Sequence, residues 1–164
     1  MQRERPRPPF DAWPGHRVVN GVGHAWFGEP AVLVNQSVIE HADVEAALRL
    51  QDLIDEVRAA TIDECTPAGG LAVIHDWRSL RSHDPAARPA FLARMRSRPK
   101  GYLRMAIVIV DGENRFLRMA IEMGNLLAAT VTGGRVEVVP TPHAALARLG
   151  ARPRAAGARF PVMG

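Results

Sequence analysis

At 164 residues, 47% hydrophobic and 23% charged, the chain has the length and balance of one globular domain that can bury a core. Its longest apolar runs, 106–110 and 126–131, fall far short of the roughly 20 residues of a membrane span. The charged opening Met1-Gln2-Arg3-Glu4-Arg5-Pro6 leads into no apolar stretch of the secretory kind.

Aromatic residues make up only 5%, so the core must come from Val, Leu, Ile, Ala and Met. The lone Cys65 has no internal disulfide partner, which fits a reducing cytoplasm. The net charge of +4 sits at the ends, on Arg3, Arg5, Arg7 and Arg17 and on Arg152, Arg154 and Arg159. Basic ends can neutralise phosphates, but Arg/Pro/Ala-rich tails are ordinarily just solvated, and no nucleic-acid partner is expected. The body is polarised instead. Residues 43–64 carry seven acids against two Arg, and residues 78–104 carry eight bases against Asp84 alone.

In chain order, residues 1–20 read as a Pro/Arg-rich arm, flexible or else docked on the body through Phe10 and Trp13, and are taken as flexible. Phe10 and Trp13 are its only large apolar members. His24–Phe27 and Ala31–Val38, split by Gly28-Glu29-Pro30, have the form of a β-hairpin. Asp43 can cap a helix over 42–61, with Val44, Ala47, Leu48, Leu50, Ile54 and Val57 at helical spacing. Thr66-Pro67-Ala68-Gly69-Gly70 stops that helix. The continuous apolar run Leu71-Ala72-Val73-Ile74 then suits a central strand covered by helices.

Asp84-Pro85 resembles an N-cap followed by proline at the first helical position. Pro89 moves the firm start of the next helix to about residue 88, with Phe91, Leu92 and Met95 facing inward. The strongest strand runs from Leu103 to Val110. A third amphipathic helix is marked by Phe116, Leu117, Ala120, Met123, Leu127 and Val131. Residues 135–139 alternate as a strand, and Thr141-Pro142 opens a short last helix at 144–149. The order ββαβαβαβα predicts an α/β fold, a small mixed and mostly parallel sheet backed by helices. It occupies 21–150 as a single domain, with 151–164 as a basic C-terminal tail.

No residue set carries recognisable chemistry. The six His show no metal-ligand spacing, so neither metal nor cofactor is expected. The Gly pairs precede strands rather than helices, which is not a phosphate-loop context. Met105, Met119 and Met123 suit core filling. His75, inside an apolar strand, reads as a core residue with its hydrogen bonds satisfied. His83 and Asp84 sit at a strand-to-helix junction, where open α/β folds place ligands.

The strand ending in Asp76-Trp77, the polar junction, the Ala/Arg-rich helix, the Met-rich Arg118-Met119-Ala120-Ile121-Glu122-Met123 and the final Thr141-Pro142-His143-Ala144 together resemble one family. It is the STAS/SpoIIAA-like superfamily, the anti-sigma-factor-antagonist fold, in its divergent bacterial SpoIIAA-like branch. The likeness covers about residues 22–150 and is one of element order and strand endings. It implies a switchable protein-docking module. The family's switch carries Asp-Ser-Ser-Gly at this junction, with the Ser phosphorylated. Here Arg81-Ser82-His83-Asp84-Pro85 stands there, without the preceding Asp and the following Gly.

The function expected is therefore a non-catalytic regulatory or scaffolding module that docks a protein. Its candidate residues are Asp76, Arg78, Ser79, Arg81, Ser82, His83, Asp84 and Arg88. The basic helix, with Arg88, Arg94, Arg96 and Arg98, either offers a surface to an acidic partner or is neutralised by the acidic first helix. A small-molecule or lipid carrier is the alternative. A hydrolytic enzyme using His83 or His75 ranks last.

Overall fold

The computed structural model describes residues 5–114 and 135–163. A 3-10 turn, Phe10–Ala12, precedes β1 (Arg17–Val19), β2 (Gly23–Gly28), β3 (Val32–Ser37) and β4 (His41–Ala42). Then come α1 (Val44–Ala60), α2 (Ile62–Cys65), β5 (Leu71–Asp76), β6 (Ser82–His83) and α3 (Ala87–Arg96). β7 (Leu103–Ile109), β8 (Arg135–Val139) and α4 (Pro142–Leu149) complete the described elements. The expected third helix around 116–131 lies outside the described residues.

One six-stranded sheet has the order β1-β2-β3-β5-β7-β8. β1, β2 and β3 pair antiparallel, and β3, β5, β7 and β8 pair parallel. The fold is thus α/β with a mixed, mostly parallel sheet. The hairpin supplies the antiparallel edge, because its turn reverses the chain while each later strand follows a crossover. Every residue of β5 is buried, as a parallel strand covered on both faces requires.

Alternation divides the core in two. Phe27, Leu33, Val73 and Val108 face α1 and α3, where Leu53, Ile54, Val57, Phe91 and Leu92 meet them. Trp26, Val34, Ile74 and Ile107 face Phe10, Trp13 and the Ala145 and Leu149 side of α4. Local chemistry fixes the helix ends. Asp43 accepts a hydrogen bond from the Ala46 amide at 2.7 Å, and Thr141 does the same for Ala144 at 3.2 Å, with Pro142 in the first helical position. Gly150 takes the left-handed conformation, φ 59, that closes α4.

Three expectations are corrected. Residues 5–20 are not a flexible arm: Phe10 is fully buried, Trp13 is buried, and Val18 pairs in β1. Two large aromatic side chains recover enough apolar area to hold a Pro-rich segment in place. The basic C-terminal segment is docked as well. Arg152 exchanges backbone hydrogen bonds with Glu29 at 2.9 Å, Arg154 pairs with Glu64, and its guanidinium lies 4.7 Å from the Phe27 ring centroid. Finally, Asp84 is not the cap of α3. That helix starts at Ala87 after Ala86, with no side-chain cap, because the Asp84 carboxylate is engaged elsewhere.

Candidate functional site

The eight candidate residues fall into separate groups. Asp76 ends β5 fully buried. Arg78 grips it with two arms, Nε to Oδ1 at 2.8 Å and Nη2 to Oδ2 at 2.7 Å. Gln36, its register partner on β3, adds Nε2 to Oδ2 at 2.9 Å. The same Gln36 accepts from the Arg7 amide at 2.7 Å, so this cluster ties down the N-terminal segment. The hydrogen bond to Asp76 raises the Arg78 guanidinium pKa above its ordinary value, against the opposing effect of burial. Asp76 and Arg78 therefore brace the fold, and the Asp76 carboxylate offers no exposed oxygen to a partner.

Ser82 and His83 belong to a second, two-stranded sheet that was not visible in the sequence, and Asp84 directly follows it. β4 and β6 pair in parallel, His41 opposite Ser82 and Ala42 opposite His83. His41 Nδ1 lies 2.7 Å from Ser82 Oγ, and His41 Nε2 lies 2.7 Å from Asp84 Oδ1. A carboxylate only accepts, so Nε2 donates to Asp84; with a single ring proton, Nδ1 is then the acceptor for the Ser82 hydroxyl. Hydroxyl, imidazole and carboxylate thus stand in the order of a nucleophile, its base and the base's orienting group. His41 and Asp84 are both about half exposed, at 51% and 46% of their side-chain areas.

An acyl-transfer site needs more than this row. Such a site needs backbone or side-chain donors aimed at the developing oxyanion. The Arg81 and Ser82 amides both donate to the Glu40 carbonyl, at 2.7 and 3.1 Å, and the Asp84 amide donates to Ala42 at 2.8 Å. These three amides are consumed in holding the ribbon. Ser79 is half-buried in the turn before it, and the Arg81 Nη1 donates to the Arg78 carbonyl at 3.2 Å.

On the other side of the ribbon, Ala42 and His83 line an apolar pocket of about 50 Å³, closed by α1 and α3. Leu50, Trp77 and Phe91 form buried parts of its wall, and Arg88 is half-buried beside it. Strand alternation sets Ser82 and this pocket on opposite faces of the ribbon, so the hydroxyl does not serve a substrate bound there.

The charge polarity of the helices is largely internal. Arg94 bonds Asp52 at 2.7 Å and Asp55 at 2.8 Å. Arg98 reaches Asp55 at 3.0 Å and Gln51 Oε1 at 2.6 Å, and Tyr102 donates to Asp55 at 2.6 Å. Burial works to raise the Asp55 carboxyl, yet the hydrogen bonds from Tyr102, Arg94 and Arg98 outweigh it and hold the pKa below its ordinary value. Burial, with the Asp55 hydrogen bond, pushes the Tyr102 phenol up to about 12. Among the described residues, Arg88 and Arg96 keep no such partner.

His75 is sealed under α3, its Nδ1 lying 3.1 Å from Asn35 Oδ1 and its ring against Trp77 and Phe91. Burial first, and Arg98 second, lower its pKa to about 3, so the ring is neutral and out of reach of a substrate. No group of three His, Cys, Asp or Glu among the described residues is placed to hold a metal ion. No helix among them is long and apolar enough to cross a membrane.

Sequence reasoning missed His41. It lies 41 residues from Ser82, in a two-residue strand with no periodicity, and Asp84 was assigned to a helix cap. Asp84-Pro85 marks this loop in the sequence, but as a helix start rather than as a partner of His41. No protein-family model, no curated protein and no solved structure matches the chain.

Proposed function

We propose that the chain is a non-catalytic regulatory or scaffolding module that docks a protein partner on the β4–β6 ribbon and the adjoining start of α3, in the manner of the STAS/SpoIIAA-like domains it resembles. The observation that carries the reading is the state of the ribbon amides: a Ser–His–Asp array is exposed, but the amides of Arg81, Ser82 and Asp84 are all spent on β4. A rigidly held, solvent-facing polar row whose Arg81, Ser82 and Asp84 amides are already engaged is suited to recognition rather than to acyl transfer.

A lipid carrier is the weaker reading, because about 50 Å³ is well below the roughly 300–1,000 Å³ of a small-molecule site. Ser82 also remains a candidate for modification. Its phosphate would meet His41, while Arg78 is committed to Asp76.

A fluorophosphonate probe tests the non-catalytic half of the reading. Ser82 should stay unlabelled, at the level of the His41→Ala variant. Stoichiometric labelling of Ser82 that disappears in His41→Ala would make the array a working nucleophile and overturn the proposal.

A further inference from the structure

The pocket behind the ribbon specifies what a docked partner presents. Its wall is apolar throughout, and much of its room comes from small residues, Ala46 and Ala47 on α1 and Ala87 on α3. All three are buried, as are Trp77 and Phe91, whereas Ala42, His83 and Arg88 are only partly so and form the mouth. A space of about 50 Å³ exceeds the roughly 30 Å³ share of one water but falls well below the roughly 150 Å³ of a cavity that takes benzene. It matches the branched end of one aliphatic side chain. An apolar wall gives water no partners.

Charge at the mouth selects what lies beside that side chain. Of the acids flanking the pocket in the chain, Asp43 caps α1 and Asp84 holds His41, while Glu40, beside Ile39, is exposed with no side-chain partner among the described residues. On α3, Arg94 and Arg98 are saturated by Asp52, Asp55 and Gln51. Arg88 is the arginine at the mouth, and it has no acid partner among the described residues. Its long stem can lie along the apolar wall while the guanidinium stays in water.

We infer that the pocket receives a leucine or isoleucine side chain of a protein partner, with an acidic residue next to it in the partner's chain meeting Arg88. A buried aliphatic anchor with a charged neighbour at the rim is the usual division of labour at such interfaces, the anchor holding and the charge selecting. This rests on the docking reading above and adds to it the chemistry of the partner.

Amide chemical shifts of the full chain, titrated with short capped peptides, test it. The peptides are acetyl-Gly-Glu-Leu-Glu-Gly-amide, its Lys-Leu-Lys and Glu-Ser-Glu analogues, and free 4-methylpentanoate. The Glu-Leu-Glu peptide should move the resonances of Ala46, Leu50 and Phe91. It should bind roughly threefold or more tightly than the Lys-Leu-Lys peptide, the size expected of an exposed ion pair. The serine analogue should leave those resonances in place.

In Arg88→Glu, a surface change that leaves the wall intact, the preference between the acidic and basic peptides should reverse. Ala47→Leu, which fills the pocket, should abolish the response. Equal binding of the two charged peptides, shifts confined to another surface, or no binding at millimolar peptide would overturn the inference. So would 4-methylpentanoate binding as tightly as the peptide, since the site would then serve free short-chain acids. If the peptides fail while a recovered protein partner still loses affinity in Ser82→Glu, the ribbon reading stands and the pocket assignment falls.

Discussion

A Cβ placed on Gly28 would lie 2.4 Å from Cζ3 of Trp13 and 2.7 Å from the Arg152 carbonyl. One glycine at the end of β2 is thus where the N-terminal and C-terminal segments both close onto the sheet. Gly28→Ala should force the indole off its seat and destabilise the protein by about 1–3 kcal/mol, the usual cost of overpacking. Removing residues 1–20 should lower Tm by more than about 10 °C, because Phe10 and Trp13 are core residues at several kcal/mol together. A truncated chain that melts at the full-length temperature would show that these contacts carry no stability.

The two unlike roles of the α3 arginines are separable by denaturant unfolding. The Arg98 side chain is only 7% exposed and bonds Asp55, Gln51 Oε1 and the Gln51 carbonyl. Arg98→Ala strands those acceptors and should cost about 3 kcal/mol. Arg96, exposed and without a partner among the described residues, should change stability by no more than about 0.5 kcal/mol when replaced by Ala. Equal losses in the two variants would contradict the network described.

His75 sets a pH dependence whose sign is fixed by its burial. Its folded pKa of about 3 lies below the unfolded value near 6.5. Above 6.5 both states are neutral and the group contributes nothing. As pH falls below 6.5 the unfolded chain takes up a proton that the folded one refuses, so stability drops by about 1.4 kcal/mol per pH unit toward pH 3. His16, lowered by burial and by His24, adds in the same direction. In His75→Asn the slope of unfolding free energy between pH 6 and 4 should fall by about that amount. An unchanged slope would mean that His75 is hydrated or protonated in the fold.

Much of the fold was legible because long elements carry their own period. The helix at 42–61, the Leu71 and Leu103 strands and the cap at Thr141-Pro142 all stand where the residues place them. The junction was legible only as a location. β4 and β6 have two residues each, too few for a pattern, and their pairing joins segments about forty residues apart through His41 and Ser82. The docking of the N-terminal segment was hidden for a similar reason. Pro and Arg density suggests a solvated arm, and only the tertiary site beside Gly28 and Trp26 explains why Phe10 and Trp13 leave water.

The central claim is that the ribbon and the mouth of its pocket form the docking surface. It is tested most directly by the affinity of the full chain for the protein it recovers from cell extract, compared across three charge substitutions. Ser82→Glu removes an exposed hydroxyl hydrogen bond to His41, so Tm should drop by no more than a few degrees. Affinity should weaken about tenfold, or 1.4 kcal/mol, in Ser82→Glu and in Arg88→Glu. It should hold in Arg148→Glu, on exposed α4 opposite Glu137. Unchanged affinity in both ribbon-side variants would contradict the claim and leave the acidic face of α1 as the remaining candidate surface.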